Sequence, residues 1–142
     1  MKKTPEEFRN WIEKKISVEF WASEKDVKVW EFWRYYEGMN IWNEISKDKF
    51  FKRPCIILKT NLWNGLVLVA PITSKFHRTQ ANYYVSIEES IWLAKKSNAI
   101  INQIKPIDIR RFDGIMTKAS KSKNLANKIL DDYCIFLQKK PQ

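Results

Sequence analysis

Apolar residues near the start of the chain recur at helical spacing: Phe8, Trp11, Ile12 and Ile16. They follow Thr4-Pro5-Glu6-Glu7, which has the form of a capping box with proline at the first helical position. The pattern predicts an amphipathic helix over residues 5–20, whose apolar face must dock on the body of the domain or on a second subunit. From 27 to 35 apolar and aromatic positions alternate with Lys28, Glu31 and Arg34 as in a strand, and Gly38 marks the break that follows. Residues 43–49 form a polar loop, whereas 54–58 is a dense apolar run of the kind found in a central strand. Asn64-Gly65 is a favourable hairpin dipeptide and pairs 66–71 back onto that strand.

A second polar, cationic loop over 73–80 leads to a predicted strand at 82–87. Residues 99–104 and 114–117 read as two further strands joined by a short helical turn over 106–112. From about Ser120, Leu125, Ile129, Tyr133 and Phe136 share one face and predict a closing helix. Helix, five or so short strands, helix is a mainly β pattern (α+β), suited to a small, strongly bent sheet or barrel with helices at its ends. The 142 residues are about one domain in length, and 44% hydrophobic residues suffice for one core.

Charge changes the picture. With 26 Lys and Arg against 16 Asp and Glu, the formal net charge of +10 attracts phosphate polymers or an acidic protein. Seven Trp, five Tyr and eight Phe are more than such a core needs, and exposed rings beside cations are what unpaired bases stack on. Filling a barrel and a subunit interface accounts for most of these rings equally well. Cys55 and Cys134 have no CxxC spacing and, with the lone His77, form no zinc pattern, so no structural metal is expected. The acidic, helical start lacks an apolar leader and no apolar run is long enough to span a membrane, so a reducing, cytoplasmic setting with free thiols is expected.

Four blocks occur in order: Gly38-Met39-Asn40-Ile41-Trp42-Asn43-Glu44, Lys52-Arg53-Pro54-Cys55-Ile56-Ile57-Leu58, Ala70-Pro71-Ile72-Thr73-Ser74, and the run from Ser97 through Gln103-Ile104-Lys105-Pro106-Ile107-Asp108. Over residues 27–118 the chain resembles the MazF/PemK family of toxin-antitoxin ribonucleases. The specificity lies in the order of the blocks, since none is diagnostic alone. The resemblance implies a small SH3-like barrel of the MazF/PemK/CcdB type in a single domain: residues 1–25 a helical extension, 26–118 the barrel and 119–142 the C-terminal helix. Two positions depart from the family pattern. Trp42-Asn43 stand where small residues usually precede the glutamate, and Lys105 replaces an arginine, keeping the charge but losing the bidentate fork.

By this resemblance the protein is a metal-independent endoribonuclease that needs no cofactor and cuts single-stranded RNA through the RNA's own 2′-hydroxyl. Arg53 would be the principal phosphate and transition-state ligand, and Thr73 would donate a hydrogen bond to the same phosphate. Glu44 is a candidate general base, although a loop carboxylate is commonly just solvated. Ser74, Lys75, His77 and Arg78 would contact RNA from the cationic loop; the His77 imidazole could transfer a proton, but a lone loop histidine is more often a bystander. Gln103, Lys105 and Asp108 would form the other wall, and Asp108 has the alternative role of an acidic residue in the first turn of a short helix. The family's usual partners are a second copy of the chain and an antitoxin with an acidic, disordered segment. A non-enzymatic toxin on the same barrel, like the gyrase poisons, or an RNA-binding barrel without catalysis are the alternatives.

Overall fold

A computed structural model describes residues 4–38, 52–76, 78–87, 96–117 and 123–139. Helix α1 (Pro5–Trp21) begins as the capping box requires: Glu7 N donates to Thr4 Oγ1 at 3.2 Å and Thr4 N donates to Glu7 Oε2 at 2.7 Å. Among the described residues, seven strands follow: β1 (Phe32–Tyr36), β2 (Lys52–Lys59), β3 (Leu66–Thr73), β4 (Tyr84–Ile87), β5 (Ser97–Ile100), β6 (Lys105–Asp108) and β7 (Phe112–Thr117). Helix α2 (Lys123–Gln138) closes the chain. The mainly β class with flanking helices is therefore what is found. No helix of the described residues is long and apolar enough to cross a membrane.

Three predicted elements need correction. The strand expected over 27–35 is cut short to β1, because Trp30 takes a positive φ of 73° and Lys28 N turns back to donate to Glu31 Oε1 at 2.7 Å. The strand expected over 82–87 begins only at Tyr84, since Arg78–Tyr83 is a 3-10 helix. The segment expected as one strand and a helical turn instead holds β5, a 3-10 turn Ile101–Gln103, strand β6 and a second 3-10 turn Ile109–Arg111. Pro106 is compatible with β6 because, among the described residues, that strand is paired on β3 alone, opposite Leu68, so its other edge calls for no N–H.

The strands form one antiparallel sheet in the order β4-β5-β3-β2-β1-β7, with β6 also paired to β3. Strand β3 is its hub, bordered on one edge by β2 and on the other by β6 near its start and β5 at its end. The two faces carry two cores. Phe32, Ile56, Leu58, Ile72, Val85, Ile87 and Ala99 are covered by α2 through Ala126 and Ile129, with Tyr133 and Phe136 at the margin. Trp33, Tyr35, Cys55, Ile57, Val67, Val69, Ile107 and Phe112 fill the opposite side.

Among the described residues, helix α1 is fastened to the body of the protein through Trp11, Lys14 and Glu19. Trp11 is buried against Gly38, whose positive φ of 82° lets the chain turn directly beneath the indole. Lys14 stands 4.4 Å from the centre of the Tyr36 ring. At the far end Arg110 Nη1 donates to the Glu19 carbonyl at 3.1 Å and Nη2 pairs with the Glu19 carboxylate at 3.3 Å. The dock predicted for the apolar face is thus made by Trp11 and Val18 on the body of the protein, while Ile12, Ile16 and Phe20 remain exposed.

Candidate functional site

Strand register brings the two principal candidates together. Cys55 lies opposite Pro71 across β2 and β3, and continuing the antiparallel register by one side-chain repeat sets Arg53 opposite Thr73. The Arg53 guanidinium, through Nη1, donates to the Ile72 carbonyl at 3.3 Å, which holds it beside the end of β3. Thr73 Oγ1 accepts from Lys75 N at 3.1 Å, a local turn that fixes the hydroxyl and directs the chain away from the sheet. Both side chains are partly exposed at a strand end, so an incoming anion has access to them.

Beneath this pair lies a group that the sequence did not reveal. Trp33, Tyr35 and Glu37 occupy successive inward positions, and Tyr35 is the register partner of Arg53. The Glu37 side chain, 3% exposed, forms an ion pair with the Lys105 ammonium on β6, itself 31% exposed. That ammonium also lies 6.0 Å from the centre of the Tyr35 ring. Burial pushes the Tyr35 phenol well above its ordinary value, and the nearby Glu37 charge adds to the effect. Burial likewise raises the Cys55 thiol, which keeps it protonated and inert. Because an ammonium has three donors, the Glu37 bond orients Lys105 without exhausting it. Inward parity with Trp33 and Tyr35 was the available signal for Glu37; its partner is 68 positions away and could not be read locally.

The remaining candidates distribute unevenly. Ser74, Lys75 and Arg78 are exposed just beyond Thr73. Gln103 ends the 3-10 turn ahead of β6 and is half-buried. Asp108 is separated from this end: it pairs opposite Leu66, at the other end of β3 from Thr73, roughly 20 Å away at the rise of an extended strand. Its carboxylate is engaged by Arg110, accepting from the backbone N at 2.9 Å and from Nε at 3.0 Å, so it caps the turn Ile109–Arg111 as a helix-start residue does. Glu44 and His77 lie outside the described residues.

Two carboxylates tie acid stability to this architecture. Lys52, 2.6 Å from the Asp113 carboxylate, holds Asp113 below its ordinary value, and the Arg110 guanidinium does the same for Asp108. A value lowered by folding means that the unfolded chain binds the proton more readily. The stabilisation is therefore present above the unfolded value near ~3.9 and is lost as pH falls through the folded values. Asp113 is 37% exposed, so solvent screening keeps its share below about 1 kcal/mol. Asp113→Asn should lower the urea midpoint measurably at neutral pH, with the difference from wild type vanishing at about pH 2. A gap that persisted there would show that the residue acts through packing instead.

A family model described as PemK-like, MazF-like toxin of type II toxin-antitoxin systems matches residues 42–131, from ahead of β2 into α2. The structure of MazE-MazF from Deinococcus radiodurans is similar with a TM-score of 0.55 at 13% identity, over 78% of this chain and 95% of that one. An endoribonuclease in complex with its cognate antitoxin from a mycobacterial species gives a TM-score of 0.52 at 11% identity, over 81% and 99%. At such identities the likeness is one of fold. No curated protein matches by sequence.

Proposed function

The chain belongs to the PemK-like, MazF-like toxin family of type II toxin-antitoxin systems, and we propose that it is an endoribonuclease that cuts single-stranded RNA without a metal ion. The observation that carries this reading is the juxtaposition of Arg53 and Thr73, a cation and a hydroxyl at positions that the β2–β3 register sets opposite one another at an accessible strand end. RNA supplies its own nucleophile. The 2′-oxygen attacks the adjacent phosphorus, its proton passes to a base, the bond to the 5′-oxygen breaks, and that oxygen takes up a proton. The products are a cyclic phosphate and a free 5′-hydroxyl. The protein has to align the strand, move the protons and stabilise the negative charge that gathers on the phosphorane oxygens.

Arg53 meets that charge with a planar fork of donors, and the Thr73 hydroxyl adds a neutral one. Lys105, oriented by Glu37, gives a second cation one layer deeper, and Ser74, Lys75 and Arg78 continue the positive path along the backbone. Gln103 lines the Lys105 side, and Glu44 is the candidate base. The remote position of Asp108 and its engagement with Arg110 favour the turn-capping role over contact with RNA. By family likeness the protein works in the cytoplasm as a homodimer, and an antitoxin with an acidic segment restrains it, a partner to which a net charge of +10 is complementary.

The direct test is incubation with mixed-sequence single-stranded RNA in EDTA, beside a 2′-deoxy version of the same strand. Discrete fragments from RNA alone are expected. Loss of cutting in EDTA would refute the metal-free chemistry, and intact RNA under all conditions would transfer the reading to a non-enzymatic binder.

A further inference from the structure

Just beyond Thr73 the chain presents a ring that the core does not use. Phe76 is 59% exposed although it follows a strand whose apolar residues are largely buried. Isolated exposed rings are common on protein surfaces and by themselves signify nothing. This one is set in a particular way. Its centre lies 5.3 Å from that of Tyr84, the first residue of β4, with the planes inclined at 52°. One side of the ring is thereby supported by a residue held in the sheet opposite Ile100. Lys75 and Arg78 are exposed on either side of it in the chain. The Thr73 turn fixes where this segment departs, and three residues of chain reach at most about 10 Å, so Phe76 stays within a nucleotide or two of Thr73.

We infer that Phe76, backed by Tyr84, is a stacking platform for an unpaired base of the RNA strand whose phosphate is held at Arg53 and Thr73. The inference rests on the ribonuclease reading and adds a base subsite to it. The physics is that of single-strand recognition, in which cations follow the backbone and an exposed aromatic face takes a base without demanding its identity. The supported ring loses little freedom on binding, and stacking covers apolar surface that the fold leaves in water. Lys75 and Arg78 are placed to meet the flanking phosphates, so one short segment supplies both kinds of contact.

The test uses the full chain and a set of 2′-O-methyl oligoribonucleotides, which lack the nucleophile, each carrying the fluorescent base 2-aminopurine at a different position. Wild-type protein should quench the fluorophore at one position. Phe76→Ala should lose that quenching and bind roughly tenfold more weakly, while Phe76→Trp retains both. Arg78→Ala should weaken binding evenly along the set and reduce its salt dependence, with quenching intact. Full quenching and unchanged affinity in Phe76→Ala would overturn the platform and leave the ribonuclease reading standing. If wild-type protein bound none of the oligonucleotides, that reading and the platform would fall together.

Discussion

Arg53→Ala should cut RNA at least about a hundredfold more slowly than wild type in single-turnover assays, with little change in the unfolding transition. The first half of this expectation follows from the proposed reaction. The transition state carries more charge on the phosphate oxygens than the substrate does, and a donor fixed in advance at the strand end interacts with that increment most strongly. The second half follows from position. Arg53 lies at the rim of the sheet, partly exposed, and its bond to the Ile72 carbonyl is a long one at 3.3 Å, so truncation opens no cavity in either core. Arg53→Lys should fall between the two, because the charge survives but the planar fork does not. Cleavage by Arg53→Ala at the wild-type rate would remove Arg53 from the chemistry, whatever the protein proved to cut.

The second large effect concerns stability. A Cβ at Gly38 would lie 2.0 Å from Trp11 Cε2 and 2.1 Å from Cζ2, far inside contact distance, on a backbone with φ of +82° that L side chains rarely adopt. Strain and overpacking together should make Gly38→Ala about 3 kcal/mol less stable, chiefly by displacing Trp11 and with it α1. Trp11→Ala should also destabilise, since a buried indole is lost. Because one collision accounts for much of the glycine's cost, the double variant should lie well short of the sum of the single ones. Urea unfolding of the four proteins measures this coupling. Strict additivity would mean that the indole and the glycine do not constrain one another.

The elements legible in the sequence are those specified by neighbours along the chain. Thr4 and Glu7 are three residues apart and define the start of α1, while Asn64-Gly65 turns the chain at the tip of the connection from β2 to β3, where Leu66 N donates to the Trp63 carbonyl at 3.0 Å; the helix runs one residue past its predicted end. What escaped depends on distant partners. The shortening of β1 turns on Trp30, whose positive φ no local pattern announces for so bulky a residue, and on a distant partner, Ile57 of β2, whose carbonyl accepts from Trp30 N at 2.8 Å while its N donates to the Glu31 carbonyl at 2.9 Å. Strand β6 was concealed by Pro106, a residue that reads as a helix start unless its edge position beside β3 is known. The site divides in the same way. Arg53 and Thr73 could be named as candidates because their blocks stand in a family order, and the register of β2 with β3 sets them at opposed positions. Asp108 belongs to the same sequence block as Lys105, yet three residues of extended β6 carry it toward the hairpin end of β3. Glu37 carried no signal beyond its inward parity, because a carboxylate between Tyr36 and Gly38 looks solvated until Lys105 is brought to it.

The Arg110 contact with α1 gives the length of that helix an unusual dependence. No basic residue occupies the last turn of α1, so nothing within the helix offsets the partial negative charge of its final carbonyls. The guanidinium that does so sits 91 positions later, on the turn between β6 and β7, and reaches the Glu19 carbonyl. The end of the helix is thus a tertiary property. When Arg110 withdraws, that carbonyl returns to water and the last turn, where Ala22 N bonds the Val18 carbonyl at 3.4 Å, loses its external hold. Fraying of α1 and loosening of the Ile109–Arg111 turn should then be a single local opening, seen as amide hydrogens at the two places exchanging with solvent at a common rate.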